Sequence, residues 1–159
     1  MTINYQSIGI IHTPHQSKEG MPIQATAAKG VKGSVIVDPQ FAQGLTDLEG
    51  FSHIYLIYYF HKSEGYQLLT KPFLDDKKHG VFCTRAPKRP NALGLSVVKL
   101  ISVNENVLEI ENIDVLDGTP LVDIKPYIPA FDHHEVERVG WYENKTADIK
   151  TSRSDDRYS

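Results

Sequence analysis

Residues 82 to 96, FCTRAPKRPNALGLS, combine side chains that bind ligands with residues that stiffen the backbone. Arg85 carries a planar fork of five donors, and the Asn91 amide both donates and accepts. Pro87 and Pro90 each hold φ near about −65° and lack a backbone N–H, so they block helix formation and order the loop at low entropic cost. We predict a rigid cationic loop that holds a ligand, with Asn91 and Arg85 needed for its affinity. A stiff surface turn without function is the alternative.

The charges of the chain are unevenly distributed along it. The formal net charge of −3 indicates no partner. Residues 71–99, however, hold seven Lys or Arg against two Asp, whereas residues 100–149 hold three against eleven acidic residues. If the basic segment gathers on one face, Arg85, Lys88 and Arg89 can meet the phosphates of a nucleic acid. The alternative is that these charges are spread around the surface.

A second candidate for ligand binding is the stretch DVLDGTPLVDIKPY, residues 114–127. It predicts a tight turn at Asp117-Gly118-Thr119-Pro120, because Gly118 can adopt positive φ and the Asp117 side chain can bond nearby backbone. Such a turn exposes N–H and C=O groups that can read an adenine edge, and the nearby carboxylates can bind ammonium or ribose hydroxyls. An ordinary hairpin turn is the alternative.

Composition limits the classes of protein that the chain can form. With 159 residues, 40% apolar and 23% charged, it is predicted to be one globular domain. Cys83 is the single cysteine, which excludes an intramolecular disulfide. The N-terminus does not resemble a signal peptide, and the longest apolar run, residues 55–60, is too short for a membrane helix. We therefore expect a cytoplasmic protein that does not contact membranes.

Other familiar sites are missing from the sequence. There is no GxGxxG, no GxxxxGK[ST] and no GxSxG, which disfavours a Rossmann-type cofactor site and a P-loop. The histidine pairs at 12/15 and 133/134 lack the further ligands that zinc sites show, so no metal is predicted.

Strand patterns dominate the chain, and they predict a mainly β fold with a single antiparallel β-barrel or sheet. Residues 107–115 alternate as a half-buried strand does, and residues 53–61 are apolar on both parities, which predicts a strand covered on both faces. The segment 39–51 contains one predicted helix, which Gly50 would end. A hairpin turn is predicted at 104–106. The predicted strands are 7–13, 33–38, 53–61, 80–84, 95–103, 107–115 and 121–127.

The chain from Glu143 onward, ENKTADIKTSRSDDRYS, is polar and weakly patterned. We expect a domain at 1–142 and a tail at 143–159 that frays or packs only against a partner chain, without a second domain.

Several stretches together resemble one family. IGIIHTPH, VFCTRAPKRPNALGLSVVKL and IDVLDGTPLVDIKPYIPAFD are similar to the TsaA-like family, also known as TrmO, of S-adenosylmethionine-dependent tRNA methyltransferases. The likeness covers roughly residues 5–132. It implies a β-barrel with one or two short helices, usually a homodimer. The implied reaction is methylation of N6 of a threonylcarbamoyl-modified adenosine next to the tRNA anticodon.

The resemblance also implies which residues surround the S-adenosylmethionine cofactor. They are Pro22, Ile23, Gln24, His61, Lys62, Arg85, Leu95, Leu116, Asp117, Gly118 and Thr119. No catalytic residue follows from it, and His61 is the candidate that would accept the proton of the amine. We expect Arg85, Lys88 and Arg89 to lie toward the phosphates of the anticodon loop. A barrel that binds adenosine or RNA without catalysis, and a methyltransferase for a small molecule, remain the alternatives.

Overall fold

The computed structural model of the chain describes residues 1–19, 21 and 27–145. Six strands form a closed antiparallel barrel in the order β1-β2-β7-β6-β3-β8. These strands are β1 (Gly9–His12), β2 (Lys32–Val37), β3 (His53–Tyr59), β6 (Leu93–Asn104), β7 (Val107–Glu111) and β8 (Thr119–Pro126). Two further strands, β4 (Leu69–Thr70) and β5 (His79–Gly80), pair with each other outside the barrel. The structure confirms the predicted mainly β fold.

The helices that accompany the barrel are all short. The α-helix α1 spans Pro129–Asp132, and 3-10 helices span Pro39–Leu45, Leu48–Gly50, Val81–Cys83 and Gly140–Tyr142. None of the helices in the described ranges has the length and apolar character needed to cross a membrane.

Alternating side chains of the strands fill the barrel interior. Ile54, Leu56 and Tyr58 of β3 are 0%, 0% and 4% exposed, whereas the residues between them are only half-buried. The prediction that this strand is covered on both faces is therefore wrong, because its outer face carries a partly exposed tyrosine pair, Tyr55 and Tyr127, instead of a second layer. The other fully buried interior residues come from each remaining barrel strand: Ile11, Val35, Val98, Leu108 and Leu121.

Strand β7 ends earlier than its pattern predicts. Leu108 and Ile110 point inward, but Asn112 adopts φ 70° and terminates the strand. The positive φ reverses the alternation of inward and outward side chains. Ile113 and Val115 are therefore buried, although they are odd-numbered and the inward residues before Asn112 are even-numbered. Prediction from period-2 alternation extended the strand to 115 because it cannot detect such a change of phase.

Two other predicted elements differ from the structure. The segment 39–51 contains two 3-10 helices instead of one α-helix, because Asp47 between them takes a left-handed φ of 66°. Of the strand predicted at 80–84, only Gly80 lies in a strand, β5. Val81–Cys83 is a 3-10 turn closed by the Thr84 hydroxyl, which donates to the Val81 carbonyl at 2.8 Å. Val81 is needed in a small second core with Ala86 and Phe73, which explains its apolar character.

The hairpin predicted at 104–106 joins β6 to β7. The positive φ falls on Glu105, at 53°, and not on an asparagine. The Asn106 side-chain amide instead donates to the Val37 carbonyl at 2.7 Å, and the Val37 N–H donates to the Asn106 carbonyl. Asn106 therefore closes the end of β2.

Because all neighbouring strands are antiparallel, the connections alternate between the two ends of the barrel. The segments 13–31, 60–92 and 112–118 all emerge at the end where β1, β3 and β7 finish. We call this the loop end. It brings the predicted basic loop and the predicted Asp-Gly-Thr turn to the same place, although residues 97–116 separate them along the chain.

The described part of the C-terminal segment packs against its own chain. The Lys145 ammonium donates to the Leu74 carbonyl at 2.9 Å and lies 3.2 Å from the Asp75 carboxylate. Trp141 stacks on His79 and donates its indole N–H to the Cys83 carbonyl. The expectation that the chain from Glu143 packs only against a partner is therefore wrong for Lys145, and residues 146–159 lie outside the described ranges. The division at 142/143 stays a prediction.

Candidate functional site

A cavity of about 350 Å³ lies at the loop end of the barrel. Each of the three loop-end connections contributes to its wall, as do the adjoining ends of β3, β6 and β8. Tyr58, Phe60 and Phe73 supply aromatic surface. Its volume lies within the range of about 300 to 1,000 Å³ that is typical of small-ligand sites. The topology of the barrel thus produces a single concave site from segments that are distant in sequence.

The structure brings many of the predicted ligand-binding residues to this cavity and leaves others outside its wall. Those that line it are His61, Lys62, Arg85, Arg89, Leu95, Leu116 and Thr119. Those that do not line it are Lys88, Asn91, Asp117 and Gly118. Pro22, Ile23 and Gln24 lie outside the described residues, but the preceding Met21 is buried and lines the cavity.

The basic loop is held rigid by one of its own cations. The Arg89 guanidinium donates through Nη1 to the carbonyls of Thr84, Val81 and Ala86 at 2.8, 3.1 and 3.3 Å. The same guanidinium lies 5.9 Å from the centre of the Phe82 ring, which is 75% exposed. Arg89 therefore braces the loop through hydrogen bonds to main-chain carbonyls, while the Arg85 side chain is exposed and lines the cavity.

The Asp117-Gly118 turn also has a bracing role. The Asp117 carboxylate accepts from the Thr13 N–H and lies 3.1 Å from His12 Nδ1. The hydrogen bond from Thr13 and the contact with His12 lower the pKa of this carboxyl. The N–H groups of Asp117 and Gly118 donate to the carbonyls of His15 and Ile11, and Gly118 takes φ 74°.

Because these N–H groups are engaged by the β1 connection, they do not provide the free adenine-reading edge that the sequence suggested. The Thr119 hydroxyl donates to the Leu116 carbonyl at 2.7 Å. The turn therefore positions the two neighbours, Leu116 and Thr119, that line the cavity.

Burial and a neighbouring cation both act on the His61 imidazole. Burial, and then the neighbouring Lys62 ammonium, lower its pKa below the ordinary value of 6.5. It lines the cavity and can accept a proton at neutral pH.

Sequence analysis missed a chain of hydroxyls beneath the cavity. The Tyr58 hydroxyl lies 3.0 Å from Ser96 Oγ, and Ser96 donates to the Asp114 carboxylate at 2.6 Å. Burial and the nearby Asp114 charge raise the pKa of Tyr58, so the phenol stays protonated. Tyr58 and Asp114 line the cavity. The one available signal was the inward parity of Tyr58 on β3, which gave no reason to connect it to residues about 40 and 56 positions later.

Gly94 makes room for this arrangement. It lies opposite Tyr58 in the β3–β6 pairing, and the Tyr58 ring covers the position that a Cβ would occupy. A tyrosine of the protein's own core therefore approaches the backbone closely at Gly94.

The charges around the cavity are of mixed sign. Four cationic side chains line it, namely Lys18, Lys62, Arg85 and Arg89. Asp114 is the one acidic residue among the described residues of the wall. No group of three potential metal ligands occurs within the described ranges. The site is thus suited to an organic ligand with an apolar ring, negatively charged groups and a positive charge.

A closed antiparallel barrel with a cavity between its loop-end connections is typical of β-barrels that bind small ligands. The chain matches the family model of the tRNA-methyltransferase O N-terminal domain over residues 10–133, and it belongs to this family. The family resemblance inferred from the sequence is thereby confirmed.

Relatives and solved structures agree with this membership. The chain is 50% identical over 158 residues to a "probable S-adenosyl-L-methionine-binding protein" of Pyrococcus abyssi, covering 99% of this chain and 86% of the relative. It is 35% identical to the human tRNA (adenine(37)-N6)-methyltransferase, covering 80% of this chain and 30% of that enzyme. The crystal structure of TrmO from Pseudomonas aeruginosa matches with a TM-score of 0.75 and 36% identity, covering 89% of this chain and 63% of that chain.

Proposed function

We propose that this protein transfers a methyl group from S-adenosylmethionine to N6 of threonylcarbamoyl-modified adenosine next to the tRNA anticodon. Membership of the tRNA-methyltransferase O family supports the cofactor and the class of enzyme. A human relative is named tRNA (adenine(37)-N6)-methyltransferase, which supports the target nucleotide. The structural observation that carries the proposal is the cavity at the loop end, with aromatic walls and a mixed set of charges.

The described residues fit the cofactor. An adenine ring suits the aromatic surface of Phe60 and Phe73, and a carboxylate suits Lys18 or Lys62. The cofactor supplies an activated methyl group on a positively charged sulfur. The chain's own residues orient the ligand and exclude water, and orientation alone contributes about 7 to 11 kcal/mol in well-aligned reactions. Neutral His61 at the cavity wall can accept the proton that leaves the amine.

The basic loop supports a nucleic-acid substrate. Arg85 lines the cavity with an exposed side chain, and Lys88 follows it on the same loop. Phe82 on this loop is 75% exposed, and an exposed aromatic ring beside cations is the arrangement that stacks unpaired bases. We assign Arg85 and Lys88 to phosphate contacts, with Arg89 holding the loop that presents them. A cytoplasmic homodimer is the form in which we propose that the protein acts.

The test uses labelled S-adenosylmethionine and bulk tRNA from a strain that lacks the endogenous enzyme. We expect label to enter this tRNA, and no label to enter tRNA on which the threonylcarbamoyl group was never installed. Label in both samples would refute the proposed target. Cofactor binding without label in either sample would indicate a non-catalytic binding barrel.

Two variants test the site within the same assay. We expect Arg85→Ala, which removes a cation from the cavity wall, to lower cofactor affinity or turnover about tenfold or more. We expect Asn91→Ala, outside the wall but two residues from the lining Leu93, to lower them too through the loop, whereas Lys125→Ala, near the opposite end of the barrel, should retain activity. Activity like that of the unmodified protein in both Arg85→Ala and Asn91→Ala would reject the assigned site.

A further inference from the structure

The Asp114 carboxylate is the single negative charge in the described wall of a cavity with four cationic side chains. Such a residue needs a reason to be there, because a carboxylate beside a site for phosphate or carboxylate groups weakens their binding. It lies next to the turn that supplies Leu116 and Thr119 to the same wall.

Hydrogen bonds hold this carboxylate in one orientation. Ser96 Oγ donates its proton to Asp114 Oδ1 at 2.6 Å, so the Tyr58 hydroxyl, 3.0 Å away, must donate to Ser96. Both hydroxyl residues are 4% exposed and belong to facing barrel strands, β3 and β6. The hydrogen bonds thus all point from the core outward, from Tyr58 through Ser96, and the last one ends on the Asp114 charge at the cavity.

A negative charge fixed by a buried donor, the Ser96 hydroxyl, which Tyr58 holds in turn, is suited to a cationic group of a ligand. A preorganised carboxylate forms a strong charge-assisted hydrogen bond or ion pair. The donor molecule of the proposed function carries two positive charges, the sulfonium and the α-ammonium. We infer that Asp114 is the anionic subsite that receives a positively charged group of the methyl donor. This inference rests on the proposed function. It assigns Ser96 and Tyr58 as positioning residues that act through Asp114.

Isothermal titration with three ligands shows which positively charged group contacts Asp114. S-adenosylmethionine has both positive charges, S-adenosylhomocysteine keeps the α-ammonium alone, and 5′-methylthioadenosine keeps the adenosine and a neutral thioether. We expect Asp114→Asn to weaken S-adenosylmethionine binding about tenfold or more, and 5′-methylthioadenosine binding less than about twofold. An equal loss for both charged ligands would identify the α-ammonium, and a loss for S-adenosylmethionine alone would identify the sulfonium.

The matched control is Asp123→Asn, which removes a half-exposed carboxylate from β8 that pairs with Lys125 on the barrel surface. It should leave all three affinities unchanged. Ser96→Ala keeps the Asp114 charge but removes its donor, so a smaller loss in the same order of ligands is expected. Thermal unfolding of each variant shows whether it is folded. If Asp114→Asn does not fold, Ser96→Ala still tests the inference.

Unchanged affinities, or an equal loss for all three ligands in a folded variant, would overturn the inference while leaving the proposed function intact. If the unmodified protein bound none of the three, the proposed function would fail and this inference with it.

Discussion

Replacement of Gly94 by alanine should destabilise the barrel next to the cavity. Gly94 pairs with Tyr58 across β3 and β6. An added Cβ would lie 2.5 Å from Tyr58 Cζ and 2.9 Å from Phe60 Cζ, and it would be closer still to Tyr58 Cε2. Real side chains do not tolerate such distances, and the Tyr58 ring is 96% buried with its hydroxyl on Ser96.

The magnitude follows from three contributions. Overpacking a core typically costs about 1 to 3 kcal/mol, and moving the ring away from Ser96 loses a buried hydrogen bond of about 1 kcal/mol. Replacement of glycine by alanine restricts the unfolded chain and offsets about 0.4 to 1 kcal/mol. We therefore expect Gly94→Ala to lower the free energy of unfolding by about 2 kcal/mol.

Urea unfolding measures this change. With a slope of about 2 kcal/mol per molar, the midpoint should fall by about 1 M. The control is Gly44→Ala, because nothing lies within 4 Å of a Cβ at that exposed position. The double variant Gly94→Ala with Tyr58→Leu should lose less than the sum of the single changes, since the clashing ring is gone. A Gly94→Ala midpoint equal to that of Gly44→Ala, or strict additivity in the double variant, would refute the reasoning.

Three further predictions concern charged groups of the chain. Lys62→Met should raise the pKa of His61 toward 6.5, although burial keeps it below that value, and an NMR titration showing no rise would contradict the role of Lys62. Arg89→Met should destabilise the protein by about 2 kcal/mol and speed amide exchange in the basic loop, because three main-chain carbonyls lose a charged donor. Hydrogen bonds from His79 and then from Lys145 hold the pKa of Asp75 below 3.8. This stabilisation is therefore present above that pH and lost as the pH falls below it. Acid unfolding of Asp75→Asn should therefore depend less steeply on pH below about 4 than that of the unmodified protein, and equal slopes would refute the assignment.

Local patterns in the sequence were sufficient to locate the six barrel strands and two stretches that meet at the cavity. Alternating apolar residues predict strands because side chains of a strand point to opposite faces, and proline and glycine mark the connections. The motifs around Arg85 and Gly118 were sufficient for the family, which the comparison over residues 10–133 confirms. The predictions failed where one residue with positive φ, such as Asn112, shifted the alternation.

Only the tertiary structure decided which groups face the cavity. Barrel closure brings Tyr58, Ser96 and Asp114 into one hydrogen-bonded chain, and it uses the carboxylate of Asp117 and the guanidinium of Arg89 to brace loops. A sequence indicates which side chains are capable of binding a ligand. It does not show which of their donors and acceptors are already used by the protein, because those partners are set by the register and closure of strands that are far apart along the chain.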